Sequence, residues 1–389
     1  MGMKLQKNDA NLQQIARLIK DAFDKDTDLT KDQVFMSRYD HSDSYGILDK
    51  NKLQSYIMVN PFPARVFTQK TKMAGIGYVS SDKTARGKGN ITVLMREILK
   101  DLHQEEIPFA NLASFSENFY RQYGFEDTIY QKKYVFTNKA LPYLRTITDG
   151  KTITGTWSDL LVQNGAAQLY EVPMHTSDER NTMNREYWWW NRMEKYYPER
   201  NLAVYFGRVG LPQAYMFYHV KNDTFFVDEM YADAGDGIKG LLTYIKENYA
   251  DCARFEILMP EESKLENFFT EQRVLEIGIK PYMMSRIVDF EKIISCMKVV
   301  NFGSYTIRVT GDELCPWNNG TWQITNDHDG YRVKKVSASA DFTGTINSWT
   351  KVLLGDMILH DAIKAGEIAG DHYSKLEFVK GTVSFYDYF

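Results

Sequence analysis

The stretch Arg86-Gly87-Lys88-Gly89-Asn90-Ile91 decides the fold predicted for the N-terminal part of the chain. It lies between residues 73–80, which are predicted to form a strand, and residues 92–103, whose apolar side chains recur at helical spacing. Glycines allow the backbone to approach a ligand closely, and the N-terminus of a helix attracts anions. Arg86 and Lys88 add two cations, so the stretch predicts a phosphate-binding turn, although such turns are also common on solvated surfaces.

Regular elements alternate on both sides of this turn. A helix is predicted over residues 9–23, with Asp9 as its N-cap. Strands are predicted over residues 45–49, 52–67, 109–115 and 131–137, with a short helix over 117–123. This order predicts a mixed α/β domain, and a related order recurs over residues 225–289, including a helix at 262–272. From about residue 290, short strands, turns and two helices predict a small α+β domain.

Tyr120 stands shortly before Gly124-Phe125, in the short predicted helix that follows the phosphate-binding turn. A tyrosine at such a place is commonly a packed aromatic residue. Its combination with the turn favours a functional role, because a phenol is protonated at neutral pH and can donate its proton. Tyr120 is therefore the candidate general acid.

Composition excludes several classes of partner. The 389 residues include 47 basic and 51 acidic side chains, so no net positive field favours nucleic acid or an anionic membrane. The three cysteines are widely spaced and form no zinc motif, so we expect a reduced, cytoplasmic protein without a metal. No apolar run approaches the roughly 20 residues that a membrane helix needs. An anionic ligand must therefore be held by a local cluster of donors.

The turn and the Tyr120 motif together resemble the GNAT acetyltransferases, with a cofactor loop of the pattern R-x-x-G-x-(G/A) followed by Y-x-x-x-G-F. Ile91 replaces the small residue of this loop, a departure that is similar to the enhanced intracellular survival (Eis) family of bacterial acetyltransferases. Further stretches that look like this family are Tyr187-Trp188-Trp189-Trp190, residues 283–289, 317–322 and 338–342, and the chain end at Phe389.

This resemblance implies two tandem GNAT folds with mixed sheets, over residues 1–146 and 147–289, and a sterol carrier protein 2-like α+β domain over residues 290–389. It implies a homo-oligomer, and acetyl-CoA as the co-substrate of the first domain. The residues expected to hold acetyl-CoA are Val79, Ser80, Ser81, Arg86, Gly87, Lys88, Gly89, Asn90 and Ile91. The second domain is expected to be an inactive scaffold, because Asp233 and Asp236 in its turn would repel phosphates.

The resemblance also implies that the free carboxylate of the last residue, Phe389, is the general base. Such a carboxylate is ionised at neutral pH, and the aromatic chain end favours docking over a frayed terminus. The implied acceptors are primary amines of polycationic small molecules such as aminoglycosides. Asp24, Asp26 and Asp387 are candidate substrate contacts, although an acidic loop is as often simply solvated.

Two alternatives stay open at this point. A protein or peptide lysine acetyltransferase would use the same cofactor site with a more open acceptor groove. A non-enzymatic lipid-binding protein would instead depend on an apolar tunnel in the third domain.

Overall fold

The computed structural model describes residues 2–175, 178–371 and 373–389. The first part of the chain alternates strands and helices as predicted, and it adds one helix, α2, that was not predicted. In chain order the elements are β1 Met3–Lys4, α1 Asp9–Phe23, α2 Gln33–Asp40, β2 Asp43–Asp49, β3 Lys52–Val66, β4 Gln69–Ser81, α3 Asn90–Gln104, β5 Phe109–Leu112, α4 Glu117–Arg121 and β6 Glu126–Thr137.

The predicted cap of α1 is wrong by one residue. Asn8, and not Asp9, is the N-cap, since the Asn8 side chain accepts a hydrogen bond from the Asn11 N–H. The apolar face of α1 then packs on β3, as its spacing predicts.

The middle part of the chain repeats the alternation. Its elements are β7 Lys151–Gly155, α5 Leu160–His175, β8 Arg180–Met183, α6 Tyr187–Tyr196, β9 Asn201–Phe206, β10 Pro212–Lys221, β11 Thr224–Ala232, α7 Gly235–Asn248, β12 Arg254–Pro260 and β13 Glu276–Ile287. The helix predicted over residues 262–272 is wrong, because only short 3-10 turns form there. The backbone of Phe268 and Thr270 instead bonds to Arg145 and Tyr143, which holds this stretch away from helical geometry.

One sheet runs through both of these parts. Its strand order is β1-β2-β3-β4-β5-β13-β6-β12-β11-β10-β9-β7, with β8 paired to β3. Strand β13 lies between β5 and β6, and β6 also pairs with β12. The first and middle parts of the chain therefore exchange strands, and the predicted boundary at residue 146 divides the chain but not the sheet.

The last part of the chain forms a separate five-stranded sheet in the order β16-β15-β14-β17-β18. Its elements are α8 Phe290–Cys296, β14 Gly303–Thr310, β15 Gly320–Asp327, β16 Gly330–Val336, β17 Phe342–Thr345, α9 Ile346–Leu353, α10 Leu359–Lys364 and β18 Ile368–Gly370. The chain then returns to the large sheet, where the N–H of Arg180 on β8 donates to the carbonyl of Thr382 at 2.8 Å. No helix within the described ranges is long and apolar enough to cross a membrane.

Candidate active site

The predicted phosphate-binding turn lies at the start of α3, as the sequence indicates. Gly87 and Gly89 have φ angles of 77° and 76°, and Gly89 is the N-cap of the helix. A methyl group added at either glycine would meet no atom within 4 Å, so the space above the turn is open. Arg86 and Lys88 are exposed beside it. The free N–H groups of the first helical turn, the dipole and these two cations make a site that fits a pyrophosphate.

Asn90 and Ile91 hold the turn in place rather than opening toward solvent. The Asn90 side-chain amide donates to Ser55 Oγ at 3.1 Å, and Ser55 Oγ lies 2.8 Å from Ser81 Oγ. Ile91 packs against the apolar core beneath α3. This contact accounts for an aliphatic residue where the loop pattern has a small one.

Strands β4 and β5 separate next to this turn. Residues 73–76 pair in parallel with residues 109–112, but β4 continues to Ser81 after β5 has ended. Tyr78 has a φ of 50°, and the register of β3 against β4 shifts at the same place, which marks a β-bulge. Beyond residue 76, β4 therefore has no strand partner on the side of β5 in the part of the chain that the structure describes, and its backbone groups there are free to bind a ligand.

The three predicted strand residues have different surroundings. Val79 lines a pocket of about 260 Å³ between the splayed strands, which we call the central pocket. Ser81 lines a neighbouring pocket of about 430 Å³, the loop pocket, together with Arg86. Ser80 is buried, and its Oγ has no hydrogen-bond partner among the described residues.

Tyr120 lines the central pocket from α4 and is only 2% exposed. Its ring packs edge-on against Phe115 and Phe119, at centroid distances of 5.3 and 5.1 Å. Burial raises the pKa of the phenol well above its ordinary value, and the neighbouring Tyr123 and Tyr388 add to the increase. The phenol therefore stays protonated at neutral pH and is able to act as a proton donor.

Phe389 ends the chain inside the same pocket and is 7% exposed. Its ring lies 5.4 Å from that of Phe62 and 5.8 Å from that of Trp189. A methyl group at Gly77 would lie 3.2 Å from the terminal carboxyl carbon and 2.7 Å from Nη2 of Arg38. The terminal carboxylate and the Arg38 guanidinium thus both lie beside Gly77 on β4, in the pocket that Tyr120 also lines.

Asp387 has a structural place that differs from its prediction as a substrate contact. It is 3% exposed and accepts hydrogen bonds from Arg185 Nε at 2.8 Å and Trp189 Nε1 at 2.6 Å. Arg185 also donates to both carboxylate oxygens of Glu229. Burial raises the pKa of Asp387, although the charge of Arg185 opposes the increase. This buried ion-pair cluster fixes the chain end, so Asp387 is not available to a substrate.

Asp24 and Asp26 do not line the central pocket either. Both line the loop pocket, together with Ser81 and Arg86. The charged side chains that line the central pocket, among the described residues, are instead Lys25, Arg38 and Arg192. Sequence reasoning missed both arginines, because no local pattern connects α2 and α6 to the turn. Nor do the described residues contain three or more His, Cys, Asp or Glu side chains grouped to hold a metal ion.

The glycine turn at the start of α7, in the middle part of the chain, is more crowded than the turn at the start of α3. A methyl group at Gly235, the first residue of α7, would lie 3.6 Å from the ring of Phe268. At Gly237 it would lie 2.5 Å from the carbonyl oxygen of Gln213 on β10. The methyl group would fit at Gly235 but not at Gly237, so the second turn has less open space than the turn at Gly87 and Gly89.

Comparisons with known protein families agree with this fold. Residues 5–128 match an acetyltransferase (GNAT) domain, residues 182–287 match a second acetyltransferase (GNAT) domain, and residues 295–380 match a sterol carrier protein domain. The chain is thus an acetyltransferase, and enzymes of the GNAT class use acetyl-CoA. No curated protein matches it in sequence.

Several solved structures share the whole architecture. A conserved protein of unknown function from Enterococcus faecalis, a probable N-acyltransferase, is 26% identical over 100% of both chains, with a TM-score of 0.87. Eis1 from Mycobacterium abscessus is 16% identical, and a GCN5-related N-acetyltransferase from Anabaena variabilis is 15% identical. Both cover 100% of each chain, with TM-scores of 0.83 and 0.86, and at this identity they support the fold alone.

Proposed function

We propose that this acetyltransferase transfers the acetyl group of acetyl-CoA to the primary amine of a small molecule, with Tyr120 as general acid and the Phe389 carboxylate as general base. One observation carries the proposal: a protonated phenol and the chain-terminal carboxylate line the same 260 Å³ pocket beside the splayed β4. The exposed turn at residues 86–89 would hold the pyrophosphate, and Val79 would face the pantetheine arm.

Each group has a defined task in this reaction. Acetyl-CoA supplies the acetyl group as a thioester. Phe389 takes the proton that the acceptor ammonium must lose before its nitrogen can attack. The new bond joins the acceptor nitrogen to the acetyl carbon as the carbon–sulfur bond breaks, and Tyr120 gives its proton to the departing sulfur. The acceptor nitrogen loses two protons in all, one to Phe389 before it attacks and one as the amide forms. The second proton replaces the one that Tyr120 gives to the sulfur. The proton on Phe389 passes to solvent, so each acetyl transfer releases one proton.

The resemblance to the Eis family extends the proposal to aminoglycoside-like, polycationic acceptors. The cationic lining of the central pocket counts against them, since like charges repel. A protein lysine as acceptor is the main alternative. A lipid carrier is not favoured, because Trp322 and Trp349 pack against Phe290 in the core of the third domain, at 4.9 and 6.2 Å. The homo-oligomer, the cytoplasmic location and the domain boundaries stay predictions.

Thiol release from acetyl-CoA, measured with a panel of amines, tests this function. Tyr120→Phe should lower kcat about 10²–10⁴-fold, the contribution typical of a general acid. Tyr123→Phe is a matched control from the same segment, because its hydroxyl lies 3.1 Å from Thr92 Oγ1 and is not assigned a proton transfer. Equal kcat values for both variants would remove Tyr120 from the mechanism.

A further inference from the structure

Two buried arginines line one side of the central pocket. Arg38 on α2 is 2% exposed, and Arg192 on α6 is 4% exposed. Neither forms an ion pair with an acidic side chain within the described part of the chain. The two arginines come from segments far apart in sequence, so only the tertiary fold brings them together.

Neutral partners hold each guanidinium in place. Nε and Nη2 of Arg38 donate to Asn60 Oδ1 at 3.1 and 3.0 Å, and the guanidinium lies 5.0 Å from the centroid of the Tyr78 ring. The Arg192 guanidinium lies 4.6 Å from the Trp189 ring and 4.8 Å from the Tyr196 ring. Its Nε is buried and has no hydrogen-bond partner among the described residues. Rings and an amide orient these cations but do not neutralise them.

A nearby arginine shows what complete pairing looks like in this protein. Arg185 is also fully buried, and it forms ion pairs with Glu229 and Asp387 at 2.7 and 2.8 Å. A buried charge without such a partner is costly, because it has lost its hydration. Burial lowers the pKa of Arg38 to about 10, and repulsion from Arg192 contributes. Both groups are still cationic at neutral pH, so the missing counter-charge must come from elsewhere.

The terminal carboxylate of Phe389 supplies only part of the negative charge that would balance these two arginines. Arg38 and Arg192 bring two buried positive charges to the lining, and the chain end brings one negative charge. Lys25 lines the central pocket too, but it also lines the loop pocket beside Asp24 and Asp26. The phosphates of acetyl-CoA do not complete the balance, because their predicted turn opens beside the loop pocket, where Arg86 and Ser81 lie. An anionic group is therefore missing from the acceptor side of the central pocket.

We propose that the acceptor carries an anionic group, a carboxylate or a phosphate, beside its primary amine, and that Arg38 and Arg192 bind this group. The inference rests on the proposed function, whose acceptor it specifies. Charge-assisted hydrogen bonds from a guanidinium fork suit either anion. A pocket of 260 Å³ fits a small acceptor better than a multi-ring polycation.

Pairs of amines that differ only in the anionic group test the proposal by thiol release. We choose γ-aminobutyrate with n-propylamine, O-phosphoethanolamine with ethanolamine, and spermidine and kanamycin as polycations. The wild-type kcat/KM should be about 10-fold or more higher for the anionic member of at least one pair, and the two pairs separate carboxylate from phosphate. Equal kcat/KM values within both pairs, or a preference for the amines without an anionic group or for the polycations, overturn the inference while they support the proposed function. If none of the amines in the panel increases thiol release above the rate without amine, both the inference and the proposed function are overturned.

A variant locates the recognition. Arg192→Gln should reduce the preference for the anionic amine about 10-fold, mainly through KM, and Arg192→Lys should retain part of it. Arg200→Gln is the control, because Arg200 lies outside the central pocket and pairs with Asp228 at 2.9 Å. If Arg192→Gln keeps the full preference, Arg192 does not bind the anion. The comparison of amines on the wild type decides the acceptor class even where a variant folds poorly.

Discussion

The role of the chain end is tested by changing its carboxylate and nothing else. Amidation of Phe389 removes the charge without adding a residue, and a Gly-Gly extension moves the charge away. The Phe389 ring should stay packed on Phe62 and Trp189 in the amidated protein, because none of these contacts involves the carboxylate. A loss of activity on amidation would therefore report on chemistry rather than on folding.

The expected fall in kcat follows from the geometry of the pocket. Each added residue moves the carboxylate by about 3.5 Å, and a general base acts over about 2.6–3.2 Å. One added residue is thus enough to take the charge out of reach, and the 260 Å³ pocket leaves little room for the chain to fold back. We expect kcat to fall about 10²–10⁴-fold in both forms. The affinity for acetyl-CoA should change little, because the turn at residues 86–89 is unaltered.

The assay is steady-state thiol release, with acetyl-CoA affinity measured separately by calorimetry. An N-terminal extension of the same length controls for the added residues. The melting temperature of each form shows whether the buried chain end is still docked. Full kcat in an amidated and correctly docked protein would refute the assignment of Phe389 as base.

Three further perturbations follow from the structure. Arg86→Glu should weaken acetyl-CoA binding about 10-fold or more by charge reversal beside the turn, and calorimetry that shows unchanged affinity would remove the turn from the cofactor site. Arg185→Met should destabilise the fold by about 3–5 kcal/mol in urea unfolding, because it leaves the carboxylates of Glu229 and Asp387 buried without their partner. Burial raises the pKa of Glu261 to about 7, and the nearby charges of other acidic side chains add to this increase. Between the ordinary pKa of a glutamate and pH 7, the folded chain therefore binds more protons than the unfolded chain. Stability should therefore fall as pH rises through this interval, and Glu261→Gln should flatten that fall in melting curves; an unchanged profile would contradict the raised pKa.

The order of most strands and helices could be predicted from the sequence, because local patterns of apolar and polar residues encode it. The turn at residues 86–91 has the open glycines and the helix N-terminus that its residues predict, and α1 and α3 bury the faces that their spacing defines. Tyr120 lies in a short local motif, so the sequence was sufficient to predict it as a candidate, and its role as the acid stays a prediction. By contrast, residues 262–272 have an apolar pattern that suits a helix, but hydrogen bonds to residues 143–145 override it.

The sequence by itself determined the acetyltransferase fold and the glycine turn at the start of α3, because each depends on neighbours along the chain. For the same reason it was enough to propose a cofactor role for the turn and an acid role for Tyr120. Only the tertiary structure decided the character of the acceptor side. The exchange of β13 between β5 and β6, the burial of Asp387 against Arg185, and the meeting of Arg38, Arg192 and Phe389 all join distant segments. Charge acts through space and depends on burial, so a list of acidic residues in a loop does not predict the charge of a pocket.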